Sequence, residues 1–233
     1  VKVGFIYSAP TGDEGFVDMH DNARKALEEK YGVETAYVEN VLDTNAAESE
    51  KAMRQLIDQG CNVIYACSFG YMDSVLALAE EFPDVKFGHA TGYQTAENVS
   101  TYFGRVYEVR YLSGIVAAMQ TESNKIGFVA AQPIPEVIRS INAFTLGVQS
   151  VKPDATVEVI WTGEWYEPTK EKAAALDLIN KGCDVIAQHT NSTAPLLAAQ
   201  EKGVYGIGYN AQYSDTFKDA YLTNAYLNWG AFY

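Results

Sequence analysis

The chain has 233 residues, 48% of them hydrophobic and 20% charged, with a formal net charge of -13. That length allows one large domain or two of about 100–130 residues around a buried core, and the acidic balance argues against the basic footprint of a nucleic-acid binder. No run of about 18 apolar residues is present to read as a transmembrane helix. Three cysteines without a CxxC pair give neither a disulfide framework nor a zinc site.

In chain order, residues 3–8 read as a strand ended by Ala9-Pro10-Thr11-Gly12. Residues 18–31 show helical spacing at Met19, Ala23, Ala26 and Leu27, with Gly32 as the stop. A strand at 33–38, a helix at 45–59, a strand at 63–68 and a helix at 73–81 follow. Strands at 85–89 and 99–102 lead to an apolar helix at 108–121, carried by Leu112, Ile115, Val116 and Met119. The order then recurs: strand 126–130, helix 135–148, strand 156–161, helix 169–180, strand 185–189. A helix at 194–201 and strands near 205–209 and 222–227 complete it.

The recurrence is also literal. Lys2-Val3-Gly4-Phe5-Ile6 returns as Lys125-Ile126-Gly127-Phe128-Val129. Gly60-Cys61 returns as Gly182-Cys183, and Thr101 and Tyr111 as Thr223 and Tyr233, all at an offset near 122. A repeat this long is a whole lobe rather than a solenoid unit. Strands alternating with helices indicate parallel sheets covered by helices. The expected fold is α/β: two doubly wound parallel-sheet lobes with a central cleft. Residues 1–121 would form the first lobe, 122–226 the second, and 227–233 a strand returning toward the first. The second copy stops where the first continues into a helix, so a C-terminal portion is expected to be missing. The opening Val1 reads as a processed or engineered start.

Open α/β sheets bind ligands beyond the carboxyl ends of their strands. The candidate ligand-binding residues there are Tyr7, Phe16, Ser68, Phe69, Trp165, Asn191 and Asn210. Aromatic rings and amides with few cations suit a flat, largely neutral ligand, stacked on rings and read by directional hydrogen bonds. Phosphate is disfavoured. No GxGxxG or GxxxxGK[ST] occurs, and Gly12-Asp13-Glu14-Gly15 puts carboxylates where an anion would lie. Several residues have plainer readings. Phe16 could staple the first helix, Phe69 could be core, Asp13 could cap the first helix and Ser192 a later one. Cys61 and Cys183 read as duplicated core positions, His20 as a surface helix residue, and His89 as a partner for backbone groups. The histidines at 20, 89 and 189 accompany no GxSxG or HExxH and form no nucleophile–base set, so neither an enzyme nor a cofactor is indicated.

The segments Gly12-Asp13-Glu14-Gly15-Phe16, Ser68-Phe69-Gly70-Tyr71-Met72-Asp73 and Phe87-Gly88-His89-Ala90-Thr91-Gly92-Tyr93 are similar to those of the basic membrane protein family of substrate-binding lipoproteins. So are Pro133-Ile134-Pro135-Glu136-Val137, Gln188-His189-Thr190-Asn191-Ser192 and Asn228-Trp229-Gly230. The resemblance spans essentially the whole chain. It implies a type I periplasmic-binding-protein fold and an extracytoplasmic receptor that hands a purine to an ABC transporter permease. It implies stacking rings at Phe16 and Trp165, and an upstream lipid anchor that is not in this sequence. Family nucleoside binders carry an aspartate in a Gly-Val-Asp context; here Gly208-Tyr209-Asn210 stands instead, which favours a free base such as adenine. A purine nucleoside is the alternative. Lobe closure would hinge near 121–124 and 227–230. The rival from another class is the effector-binding domain of a transcription regulator, which would need a DNA-binding segment ahead of Val1.

Overall fold

A computed structural model describes residues 1–211, 213 and 215–233. Two five-stranded, all-parallel sheets form. The first contains β1 (Lys2–Tyr7), β2 (Glu34–Val38), β3 (Val63–Cys67), β4 (Lys86–Ala90) and β5 (Val99–Tyr102), in the order β2-β1-β3-β4-β5. The second contains β6 (Lys125–Ala130), β7 (Thr156–Trp161), β8 (Val185–His189), β9 (Tyr205–Tyr209) and β10 (Tyr221–Ala225), in the order β7-β6-β8-β9-β10. The order is the same in both, as the duplication predicts. Register repeats too: Val3 pairs with Val63, and Ile126 with Val185.

The repeated glycine in each first strand has one cause in both copies. A methyl group on Gly4 would lie 2.7 Å from Ile64 Cδ1 and 3.1 Å from Leu56 Cβ. On Gly127 it would lie 2.8 Å from Ile186 Cδ1 and 2.9 Å from Leu178 Cβ. Cys61 and Cys183 are likewise equivalent and buried, each donating its backbone N–H to a leucine carbonyl at 3.1 Å, Leu56 and Leu178 respectively. Both behave as the small core hydrophobes expected of free cysteine.

Packing divides the chain into two compact units. The first comprises Val1–Asp13, Val17–Gly104 and Asn228–Tyr233; the second comprises Glu14–Phe16 and Arg105–Leu227. The first unit's largest apolar cluster lies between its sheet and the helices α2 (Ala46–Asp58) and α3 (Met72–Glu81), after α1 (Phe16–Tyr31) in the chain. In the second unit, α4 (Val106–Gln120) and α5 (Pro135–Val151) cover one sheet face. The helices α6 (Pro168–Asn180) and α7 (Ala194–Lys202) cover the other. Alternation along β8 feeds both: Val185 and Ala187 join the first cluster, Ile186 the second.

Element ends match the sequence reading to within three residues, but three assignments change. The boundary expected at 121 falls instead between Gly104 and Arg105, because α4 packs with the second unit. Its buried face is Val106, Arg110, Ser113, Gly114, Ala117 and Ala118, while Leu112 and Met119 are 59% and 73% exposed. Small residues win that face because α4 lies against α5 almost backbone to backbone: a Cβ on Gly114 would sit 2.0 Å from the Phe144 carbonyl oxygen. The tail expected as a strand contains a short helix, α8 (Trp229–Phe232), held in the first unit by Trp229 stacking on His20 with centroids 4.2 Å apart. His20 is therefore fully buried rather than at the surface. The buried face of α1 is correspondingly polar: Arg24 bonds Asp21 at 2.7 Å and Thr35 at 2.8 Å, and lies over the Tyr37 ring. Paired charges of this kind satisfy one another where lone ones would not be tolerated. No helix among the described residues is long and apolar enough to cross a membrane.

Candidate functional site

Strand order 2-1-3-4-5 reverses direction beside the first strand, so each unit has its switch point there, and the loops beyond the strand ends form its natural binding edge. The candidates divide between the units, and each set is described on its own.

In the second unit, Trp165, Asn191 and Asn210 meet, and Phe16 belongs to the same unit. The Asn191 backbone N–H donates to the Trp165 carbonyl at 2.9 Å, tying the loop after β7 to the loop after β8. Asn210, following β9, donates from Nδ2 to Asn191 Oδ1 at 3.5 Å. Its φ of 73° is left-handed, a conformation that asparagine tolerates better than most residues. Phe16 is buried, at the start of α1. Its neighbour Gly15 presses on the same loop: a Cβ there would lie 1.9 Å from the Asn191 carbonyl oxygen. Glu14 fixes this approach, accepting from Thr193 Oγ1 at 3.2 Å and, through its backbone carbonyl, from the Tyr213 hydroxyl. Trp165 is half-buried, with one side against the sheet core.

The loop that presents Asn191 is braced from below. Gln188 Nε2 donates to the Thr190 carbonyl at 3.1 Å and the Ser192 carbonyl at 2.7 Å. Ser192 donates from Oγ to the fully buried Glu171 carboxylate at 2.6 Å and accepts from the Ala194 N–H at 3.2 Å; the N-cap position expected for it is held by Thr193, whose side chain makes no cap hydrogen bond. Because Gly15 has no room for a side chain, Gly15→Ala is expected to displace either the 14–16 segment or the Asn191 loop. Ligand affinity should fall at least tenfold; calorimetry on a variant checked to be folded will show it.

In the first unit, the candidates are engaged differently. Tyr7 is fully buried, with its hydroxyl 3.5 Å from Asp21 Oδ1 and its ring beside Tyr37. Burial raises its pKa, so it stays a neutral hydroxyl in the core. Ser68 donates to Asp43 Oδ2 at 2.5 Å, and the Gly70 N–H reaches the same oxygen at 3.2 Å. Phe69 is half-buried, 6.2 Å from the Tyr93 ring. His89 donates from Nε2 to the Ser68 carbonyl at 2.8 Å, satisfying backbone as expected, and Asp13 caps α1 by accepting from Val17 and Asp18 N–H. Asp43 is the residue that sequence reasoning missed here. Its signal was an aspartate in the loop between the second strand and α2, hydrogen-bonded to Ser68.

The second-unit set offers ring faces and two amides, which can hold a planar molecule and read its edge; the first-unit set, taken by itself, offers a half-buried ring and a carboxylate. Among the described residues no group of three or more His, Cys, Asp or Glu side chains could hold a metal ion.

Comparison with known proteins gives a consistent family. The model described as Bmp, ABC transporter substrate-binding protein PnrA-like, matches residues 1–233. A purine-binding protein of Brucella abortus (strain 2308) is 45% identical over 238 residues, covering 100% of this chain and 67% of the relative. A Haloferax volcanii protein provisionally named as the ABC transporter glucose-binding protein TsgA13 is also 45% identical, over 234 residues; the chain spans 59% of its length. Among solved structures, an ABC transporter solute-binding protein from Conexibacter woesei aligns at 25% identity with a TM-score of 0.77, over 100% of this chain and 78% of that one.

Proposed function

This chain belongs to the Bmp family of PnrA-like ABC transporter substrate-binding proteins, and from that membership we propose that it is an extracytoplasmic receptor for a purine base, adenine or a close relative, which it presents to an ABC permease. The base stacks on Phe16 and Trp165 while the Asn191 and Asn210 amides read its edge. In the first unit, Ser68 and Phe69, with Asp43, are proposed as ligand contacts. The protein binds rather than transforms its ligand, and an N-terminal lipid anchor holds it at the membrane.

The observation that carries this reading is the meeting of Trp165, Asn191 and Asn210 in one unit, with Gly15, the residue before Phe16, packed on the Asn191 loop. Amides offer both donor and acceptor, as the edge of an uncharged heterocycle requires. Asn210, where family nucleoside binders are expected to carry aspartate, lacks the charge that would grip a ribose diol. The name of the Brucella relative supports the same class.

A second reading has its own support. The Haloferax relative is equally similar and is named for glucose. Tryptophan also stacks on sugar rings, and Asp43 could accept from a hydroxyl. A sugar, however, presents hydroxyls around its whole rim, and the second-unit set supplies only two amides for them.

Trp165→Ala tests the stacking directly. Loss of one base–aromatic stack costs about 1–3 kcal/mol, so adenine affinity should fall roughly 5- to 150-fold with little change in melting temperature. Titration calorimetry measures it. Full affinity in the variant would remove Trp165 from the site.

A further inference from the structure

Below the second-unit strand ends lies a buried polar cluster that the ligand reading does not use. Arg110 on α4 is fully buried, although a guanidinium is among the groups least tolerated away from water. Its Nη2 donates to the Gln188 carbonyl at 2.7 Å and lies 3.5 Å from His189 Nδ1. The guanidinium carbon sits 4.5 Å from the Tyr209 ring centroid and 5.5 Å from that of Phe128. His189 Nε2 is 3.3 Å from Glu136 Oε2, and its ring lies 4.1 Å from that of Tyr209. Arginine can only donate, so Nδ1 is the acceptor, and Nε2 carries the proton that Glu136 accepts.

The charge states fit this arrangement. Burial lowers Arg110 to about 10, which leaves it cationic at neutral pH. Burial alone would raise Glu136, but His189 and Arg110 more than offset it and keep the carboxylate ionised. Burial holds His189 below its ordinary value, hence neutral. The cluster is therefore one cation and one anion bridged by a neutral imidazole.

A buried ion pair stabilises little relative to well-packed apolar groups of the same volume, so stability alone is a weak reason for this one. Its position supplies a better reason. Gln188 and His189 end β8, and Tyr209 ends β9. Asn191 follows His189 by two residues, and Asn210 follows Tyr209 directly. Arg110 touches both strand ends at once, through a carbonyl on one and a ring face on the other. On the opposite face of β8, Gln188 and Glu171 already hold the loop.

We propose that Arg110 is a positioning residue of the binding site: with His189 and Glu136 it ties the ends of β8 and β9 together and so fixes the Asn191 and Asn210 amides relative to each other. This rests on the reading of those two amides as ligand contacts. Binding groups need supporting residues that hold them to within about half an ångström, and such support lies one layer beneath the contacts themselves.

The test separates positioning from stability. Arg110→Met alone leaves Glu136 buried without its counter-charge and should melt early. Arg110→Met combined with Glu136→Gln removes both charges and should recover most of the wild-type melting temperature. Arg110→Lys keeps the charge but loses the planar stack on Tyr209. In the double variant and in the lysine variant, the side-chain amide NMR signals of Asn191 and Asn210 should move, while those of Asn62 and Asn180 stay. Adenine affinity should fall ten- to a hundredfold in the double variant, despite the recovered stability. Unmoved amide signals, or moved signals with adenine affinity within twofold of wild type, would overturn the assignment. Failure of the wild type to bind adenine would instead defeat the ligand reading; the amide signals would still decide whether Arg110 holds the two strand ends.

Discussion

Gly114→Ala is expected to destabilise the second unit by about 3 kcal/mol or more, lowering its melting temperature by roughly 6–12 °C. Intrinsic propensity points the other way. In an unconstrained helix interior, replacing glycine with alanine stabilises by about 1 kcal/mol, so the sign of the change decides which effect rules. The contact wins because the clash is with backbone. The added methyl would lie 2.0 Å from the Phe144 carbonyl oxygen and 2.9 Å from the Val148 nitrogen, neither of which can rotate away. Across the same contact, a Cβ on Gly147 would lie 2.0 Å from the Tyr111 carbonyl oxygen. The two glycines thus let α4 and α5 approach until their main chains touch. Separating them would also loosen Phe144 from Phe128, whose rings now meet edge to face at 5.4 Å. Thermal unfolding followed by circular dichroism gives the answer, and a variant as stable as wild type would mean that the helices are not packed this closely.

Acid should weaken the first unit sooner than the second. All three histidines are buried, and burial lowers the pKa of each: His20 to about 3, His89 and His189 in the same direction. Unfolded histidine titrates near 6.5. Below that pH the unfolded chain gains protons that the native state refuses, and stability falls with each pH unit until the native value is reached. For His20 alone the loss is ~2 kcal/mol at pH 5. His20 and His89 lie in the first unit, His189 in the second. Between pH 6.5 and 5 the first unit should therefore lose stability faster. The tryptophans report the units separately, Trp229 from the first and Trp161 and Trp165 from the second. A first-unit transition that stays level from pH 7 to 5, with His20 titrating near 6.5, would contradict the burial of that ring. Glu136, Asp21 and Asp184 lie below their ordinary values as well, and extend the loss for both units under more acidic conditions.

Much of this architecture could be read from residues because the duplication repeats its causes along with its letters. Gly4 and Gly127 each make room for one isoleucine and one leucine at matching places, and Gly60 and Gly182 each take a left-handed turn before a buried cysteine. Alternation along the strands and glycine stops after the helices then fixed the element order. What stayed hidden follows from the same rules. Helix α4 carries large apolar residues, and the ordinary expectation buries them. Its contact instead demands small ones, so Ser113, Gly114 and Ala117 face inward while Leu112 and Met119 face out. Only the position of α5 discloses this, and with it the unit to which α4 belongs. His20 reads as a surface residue because ionisable side chains usually are; the partners that make the burial of His20, Asp21 and Arg24 tolerable, Tyr7, Thr35, Tyr37 and Trp229, are distant in sequence. The candidate residues could be chosen by type at the strand ends. The residues that brace them could not: Asp43, Glu171 and Arg110 make contacts across 21 to 78 residues of chain, which no local spacing announces.

The central claim is that this receptor takes an uncharged purine base. Titration calorimetry of the purified, ligand-stripped protein with adenine, adenosine and glucose in one buffer tests it most directly. Adenine should bind with at least a hundredfold preference over both others, and its signal should vanish in a Phe16→Ala/Trp165→Ala double variant. Tight binding of adenosine or glucose with none of adenine would contradict it.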